Sequence, residues 1–271
     1  MSHARSTDRS GERLEECLII GCNGGFGRIF THKLREAGLV VRGIDRQQRP
    51  LEPESLASYV RSSLPETSGE ADAQISATRC LLLCVPEHVV VASLPRLLDT
   101  VREGALIIDI ASVKSRIARA LEPRRDKVAY LSIHPMFAPA ADFDGRHLVI
   151  IDLGLANGLR DHFRELLSGW KSRTSEMSAE EHDRATAYVQ AGTHAAVLAF
   201  ATMFARGAVS VAQLEKLSTS VSRSLLSMAA RMVGTNDPDL YWSIQHENPF
   251  ASDAREQLAE QATAFAREIG G

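Results

Sequence analysis

The chain has 271 residues, 44% of them hydrophobic and 24% charged, with a formal net charge of −3, so it can bury a sizeable core in one large domain or two ordinary ones. Its charges are scattered rather than gathered into a basic stripe, which argues against a nucleic-acid surface, and no apolar run approaches the roughly 20 residues of a membrane span.

The first 15 residues are polar and lack an apolar h-region, so they read as a disordered tail rather than a signal peptide. Cys17–Ile20 is apolar, Gly21, Gly24, Gly25 and Gly27 follow, and an amphipathic run then begins, which predicts a buried strand, a tight turn and a helix. Glycines at such a turn let the chain reverse, let a pyrophosphate approach the backbone and let the helix pack close to the strand. The helix N-terminus then offers unpaired N–H groups to the phosphates. A strict G-x-G-x-x-G frame ending at Gly27 would begin at Cys22, so Gly21 stands one residue early. The next apolar run, Leu39–Asp45, ends in an acid about twenty residues beyond the glycines, where ribose hydroxyls are held. Gly21, Gly24, Gly25, Phe26, Gly27 and Asp45 are therefore candidate cofactor ligands, and the acid favours NAD over NADP. Cys17, Cys22, Cys80 and Cys84 lack the paired spacing of a zinc site, so no metal is expected, and four reduced cysteines fit a cytoplasmic protein. Cys22, inside the turn, has a reactive reading beside the structural one.

Beyond Asp45 the chain is polar to about Arg79, with one short helix expected around residues 55–62. Cys80–Val85 reads as a strand buried on both faces and ended by Pro86. A helix over His88–Thr100, a strand over Ala105–Ile110 and a helix ending near Ala120 come next. Val128–Ile133 is a further strand that delivers His134, His147–Asp152 is another, and Gly158–Trp170 is a helix. Strands alternating with helices over residues 17–170 predict an α/β Rossmann-type, doubly wound parallel sheet whose ligands sit at the carboxyl ends of its strands. The glycine turn, Val85-Pro86, Ser112 to Lys114 and His134 all fall at such ends.

After Ser178 strand signals disappear, and helices are predicted over 179–205, 210–233 and 237–269 with a break near Pro249. Ser178 and Glu181 form a capping-box pattern, and Asp237-Pro238 suits a helix start. Residues 188–204 are apolar nearly all round, so that helix is expected to be buried inside its domain or against a second subunit, which predicts a homodimer. The expected organisation is a tail over 1–15, an NAD-binding domain over 16–172 and a helical substrate and dimerisation domain over 173–271.

Taken in order, Gly24-Gly-Phe-Gly-Arg-Ile-Phe30, Val85-Pro-Glu-His88, Asp109-Ile-Ala-Ser-Val-Lys114, His134-Pro-Met-Phe137, Glu181-His-Asp183, Gln190-Ala191 with His194, Arg223 with Arg231, and Asp237-Pro-Asp-Leu-Tyr241 resemble the prephenate dehydrogenase family. The similarity is to the dehydrogenase half of bacterial enzymes fused to chorismate mutase, and it runs from Cys17 to the C-terminus. The resemblance implies NAD-dependent oxidative decarboxylation and aromatisation of a cyclohexadiene with a ring carboxylate, a pyruvyl side chain and a heteroatom at C4. It also implies that His134 takes the proton of the C4 substituent, a role a neutral imidazole suits near pH 7. Ser112 then stands near the nicotinamide and the C4 group, and Val85 and Pro86 line the cofactor. Lys114 supports the same wall of the substrate site as Ser112, and Arg231 matches a carboxylate-binding arginine, with His194 and Arg223 completing or bracing the site, where a guanidinium holds a carboxylate by two parallel bonds.

Two departures bear on the substrate. About 16 residues precede the first strand, too few for a fused mutase, and Thr193 stands before His194 where the fused enzymes commonly carry an arginine. One cation fewer suits an aminated ring, so 4-amino-4-deoxyprephenate is slightly favoured over prephenate, with arogenate third. The alternatives are a non-catalytic NAD-binding regulatory protein and a hydroxyacid or imine reductase, for which Lys216 would be the only lysine of the helical half.

Overall fold

The computed structural model describes residues 12–50, 52–67, 69–139, 142–207, 210–235 and 238–270. The expected tail up to residue 11, and Asp237 of the expected helix start, lie outside them. The chain divides into two compact units between Ala179 and Glu180, rather than between residues 172 and 173.

The first unit holds strands β1 (Glu16–Ile20), β2 (Val40–Asp45), β3 (Ser58–Arg61), β4 (Cys80–Leu83), β5 (Leu106–Asp109), β6 (Ala129–Pro135), β7 (His147–Asp152) and β8 (Arg173–Glu176). They form one sheet in the order β3-β2-β1-β4-β5-β6-β7-β8. The order reverses between β1 and β4, and a dinucleotide crevice forms at the carboxyl ends of strands flanking such a switch point. The apolar runs of β4 and β5 are buried on both faces because helices cover both. Helices α1 (Gly25–Glu36) and α5 (Gly158–Gly169) place Phe30, Leu34, Phe163 and Leu167 against Ile19, Leu82, Ile108 and Leu131. On the other face α2 (Gly69–Ala77), α3 (Glu87–Thr100) and α4 (Ser115–Leu121) place Ile75, Val90, Leu94 and Ile117 against Ile20, Leu81, Ile107 and Tyr130.

Three features depart from expectation. The helix anticipated around residues 55–62 is a 3-10 turn at Pro53–Ser55 followed by β3, because the free edge of β2 offers ladder partners to a segment containing Tyr59 and Val60, both good strand formers. Strand β7 runs antiparallel to β6 while the other neighbours are parallel; the link Met136–Arg146 is too short for the crossover of about a dozen or more residues that parallel pairing requires. Strand β8 is polar and mostly exposed, so it has no hydrophobic alternation to announce it, and its pairing with β7 carries the first unit past residue 172.

The second unit contains α6 (Ala179–Thr186), a π-helical segment (Ala187–Gly192), α7 (Thr193–Arg206), α8 (Val211–Leu217), α9 (Ser220–Thr235), α10 (Pro238–His246) and α11 (Ala251–Gly270). The expected helix over 210–233 breaks at Ser218-Thr219, where the Thr219 hydroxyl accepts from the Ser222 N–H at 3.2 Å and starts α9 afresh. Ala191, Ile244 and Ala251 form a small buried cluster. Within the single chain, the segment expected to be buried inside its domain or against a second subunit exposes Tyr188, Val189 and Met203, each by more than half. None of the described helices is long and apolar enough to cross a membrane.

Candidate active site

The glycine turn is built as a close backbone fit. Gly21 adopts φ +84° and donates to the Ile44 carbonyl at 2.8 Å, and a Cβ there would lie 2.2 Å from the Cys84 carbonyl oxygen. A Cβ on Gly27 would come within 2.1 Å of the Gly21 oxygen. Gly24 is the N-cap of α1 and supplies no side-chain cap, which leaves the first N–H groups of the helix for an anionic ligand. The working frame is thus Gly21, Gly24, Gly27, with one residue more than the strict fingerprint between its first two glycines.

That extra residue falls in the Cys22-Asn23 pair, and Asn23 was missed in the sequence. Its backbone N–H donates to Asp45 Oδ2 at 3.0 Å, and the Gln47 N–H donates to Asp45 Oδ1 at 3.1 Å. The Asn23 amide in turn donates to Gln47 Oε1, the Arg49 carbonyl and the Tyr59 hydroxyl. Asp45 is thereby fixed at the end of β2, and a carboxylate with about four acceptor positions keeps room for two ribose hydroxyls. Glycine cradle, open helix N-terminus and oriented acid together fit NAD. Burial, with Asp45 nearby, pushes the Cys22 thiol up to about 12, which favours the structural reading of this cysteine over the reactive one. All four cysteines are free.

Val85 and Pro86 follow β4, with Pro86 as the N-cap of α3. At the end of β5 the Asp109 carboxylate accepts from the Ala111 N–H at 2.9 Å and pairs with Lys114 Nζ at 3.0 Å. The same ammonium donates to the Ile133 carbonyl at 2.8 Å, and both charged side chains are fully buried. Lys114 therefore sits inside the wall beside Ser112, bonded to Asp109 and to β6. Ser112, between Asp109 and Lys114 in sequence, is half-buried. His134 is the sixth residue of β6 and buried. Alternation along the strand puts it on the face of Tyr130 and Ser132, whose hydroxyls are also buried. Burial, then the charge of Asp109, raises the Tyr130 phenol well above its ordinary range.

The chain leaving His134 folds back over the glycine turn. Phe137 meets Phe26 edge-on with ring centroids 5.7 Å apart, and a Cβ on Gly25 would strike the Pro139 ring at 2.7 Å. These contacts bring the loop after β6 to the first turn of α1, although β4 and β5 lie between β6 and β1 in the sheet.

In the second unit His194 is the second residue of α7, just after the π-helical segment, a feature often found at functional sites. Its ring packs edge-on to Tyr241 at 5.0 Å, its Nδ1 is buried, and burial lowers its pKa. The Thr193 hydroxyl donates to the Tyr188 carbonyl at 3.2 Å. Arg223 and Arg231 both lie exposed on α9, two turns apart.

Comparison with known proteins names the fold. Residues 30–147 match the family model described as prephenate dehydrogenase, nucleotide-binding domain, and residues 178–270 match prephenate dehydrogenase, dimerization domain. The chain is 34% identical over 253 residues to a 4-amino-4-deoxyprephenate dehydrogenase of Streptomyces pristinaespiralis, covering 92% of this chain and 83% of that protein. It is 29% identical to the T-protein of Enterobacter agglomerans over 85% of this chain, but spans only 56% of that longer protein. The crystal structure of prephenate dehydrogenase from A. aeolicus with hydroxyphenyl propionate and NAD+ superimposes with a TM-score of 0.74 over 96% of this chain and 91% of that one, at 16% identity. On these matches the chain belongs to the prephenate dehydrogenase family, NAD-dependent oxidoreductases that act with decarboxylation.

Proposed function

We propose that the protein oxidatively decarboxylates 4-amino-4-deoxyprephenate to 4-aminophenylpyruvate, with prephenate as the second reading. The observation that carries the assignment is His134, buried at the end of β6 with its following loop closed onto the glycine turn. Gly21, Gly24, Gly25, Phe26, Gly27, Asp45, Val85 and Pro86 would hold NAD, which would supply the acceptor for the hydride of C4. His134 takes a proton from the C4 heteroatom as that hydride departs. Carbon dioxide then leaves C1, its bonding electrons restore the aromatic ring, and the C4 heteroatom recovers a proton. Ser112 orients the C4 group. Because aromatisation drives the reaction, the protein's main tasks are orientation and proton transfer.

Arg231 is assigned to a substrate carboxylate, with Arg223 and His194 supporting it. The aminated substrate is favoured by the 34% identity to the Streptomyces enzyme and by Thr193, which gives its hydroxyl to the Tyr188 carbonyl and adds no cation beside His194. The match to family models described as prephenate dehydrogenase supports the prephenate reading. We further propose a homodimer formed through the helical unit, whose exposed Tyr188, Val189 and Met203 would be covered by a second copy.

The test is NADH formation by the purified protein with 4-amino-4-deoxyprephenate, prephenate and arogenate in turn. The highest kcat/KM is expected for the amino substrate. A higher value for either of the others reassigns the substrate, and silence on all three with NAD binding intact would favour the regulatory alternative.

A further inference from the structure

The β5–β6 ladder pairs Asp109 with Ser132 and goes no further. Strand β6 nevertheless continues through Ile133, His134 and Pro135, held on its other side by β7, where His134 opposes Val149. On the β5 side, the Ile133 carbonyl projects past the end of its neighbour. Lys114 Nζ donates to that carbonyl in place of the missing strand, and Asp109 holds the ammonium. The same Asp109 oxygen accepts the Ala111 N–H, one residue before Ser112. One buried ion pair thus ties the peptide joining Ile133 to His134 to the Ile110–Ala111 peptide, one residue short of Ser112.

We propose that Asp109 and Lys114 are positioning residues that set the spacing between Ser112 and His134, and that Lys114 makes no substrate contact. The inference rests on the assignment of those two residues as catalytic. Three features support it over a role in stability alone. An apolar pair of similar volume would fill the space without the desolvation cost of two buried charges. The bonds run to backbone groups adjoining the two candidate catalytic residues rather than to distant parts of the fold. Pro135 has no N–H with which to anchor the strand end, so the Ile133 carbonyl is a natural point at which to fix it.

The experiment is the double variant Lys114→Met/Asp109→Asn in the full chain. It strands no charge and keeps an acceptor for the Ala111 N–H, but it releases the Ile133 carbonyl. The thermal midpoint is expected to stay near that of the wild type and NAD affinity to hold. Turnover kcat is expected to fall by about 10- to 100-fold, the scale of a small misplacement of reacting groups, while the KM of the dicarboxylate stays level. Lys114→Gln, which can still donate to that carbonyl, should retain more kcat than Lys114→Met. A readout independent of turnover is the His134 ring Cε1–H resonance, identified by its loss in His134→Asn, which should move in the double variant. An inert wild type with a shifted resonance would sink the functional assignment and keep the positioning role. An unmoved resonance with undiminished kcat would overturn the positioning role, and a raised dicarboxylate KM at constant kcat would instead make Lys114 a substrate cation.

Discussion

The two units of this chain secure their polar and apolar groups in opposite ways. The first buries whole strands, closes its backbone with a near-complete ladder, and fastens its carboxyl edge with interior polar bonds: Asn23 to Asp45, Asp109 to Lys114 and Lys114 to Ile133. The second has a small interior around Ala191, Ile244 and Ala251 and leaves Val189, Met203, Val221, Val233, Trp242 and Phe265 exposed. A unit with a full core can hold catalytic groups rigidly by itself. A helical unit with exposed apolar faces has surface left for association, in keeping with its match to a dimerization domain.

The sharpest way to break this contrast is His134→Asn. It should leave the fold and NAD affinity unchanged, yet lower kcat by about 10²- to 10⁴-fold, the usual worth of a positioned base, as followed by NADH absorbance. Turnover close to that of the wild type would remove His134 from the chemistry. Next in size is Asp45→Ala, which deletes the acceptor of two backbone amides and the proposed ribose partner. Loss of hydrogen bonds to a charged group, about 1.5–3 kcal/mol, should weaken NAD binding by one to two orders of magnitude in calorimetry, with much less effect on NADP.

On the helical side, Val189→Glu/Met203→Glu should shift sedimentation from dimer towards monomer while the helical circular dichroism is retained. An unchanged sedimentation coefficient would move the interface elsewhere on the unit. The smallest effect concerns His194, whose pKa burial lowers. Because the folded value lies below the unfolded one, the unfolded state binds the proton more readily. Stability is therefore undiminished above the unfolded value of about 6.5 and falls as pH drops below it towards the folded value. Urea unfolding at pH 7.5 and 5.5 should show this slope, and His194→Gln should flatten it. His162, lowered chiefly by burial and then by Arg13, adds a slope of the same sign from the first unit, and His194→Gln should leave that part untouched.

What the sequence could show was set by local rules. Gly21 and Gly27 were legible because a positive φ and a sub-van-der-Waals approach admit no side chain, and Asp45 because it ends an apolar strand at a characteristic distance from them. His134, at the end of the buried β6, was legible for the same kind of reason, and six of the eight strands announced themselves as apolar runs. Strands β3 and β8 did not, because an edge strand is defined by the neighbour it pairs with rather than by its own hydrophobic pattern. The antiparallel turn into β7 likewise depended on the length of a link, not on the residues of the strand.

The sequence on its own therefore determined a glycine turn between strand and helix, an acid at the end of the second strand and a histidine at a strand end, since each is imposed within a few residues by backbone sterics or hydrophobic period. Only the tertiary structure decided that Asn23 orients Asp45, that Lys114 points into the wall to hold Asp109 and the Ile133 carbonyl, and that Phe137 and Pro139 return to the glycine turn. Those contacts join segments separated by up to a hundred residues or more, and a hydrogen bond or packed ring across such a gap leaves no periodic trace in either segment.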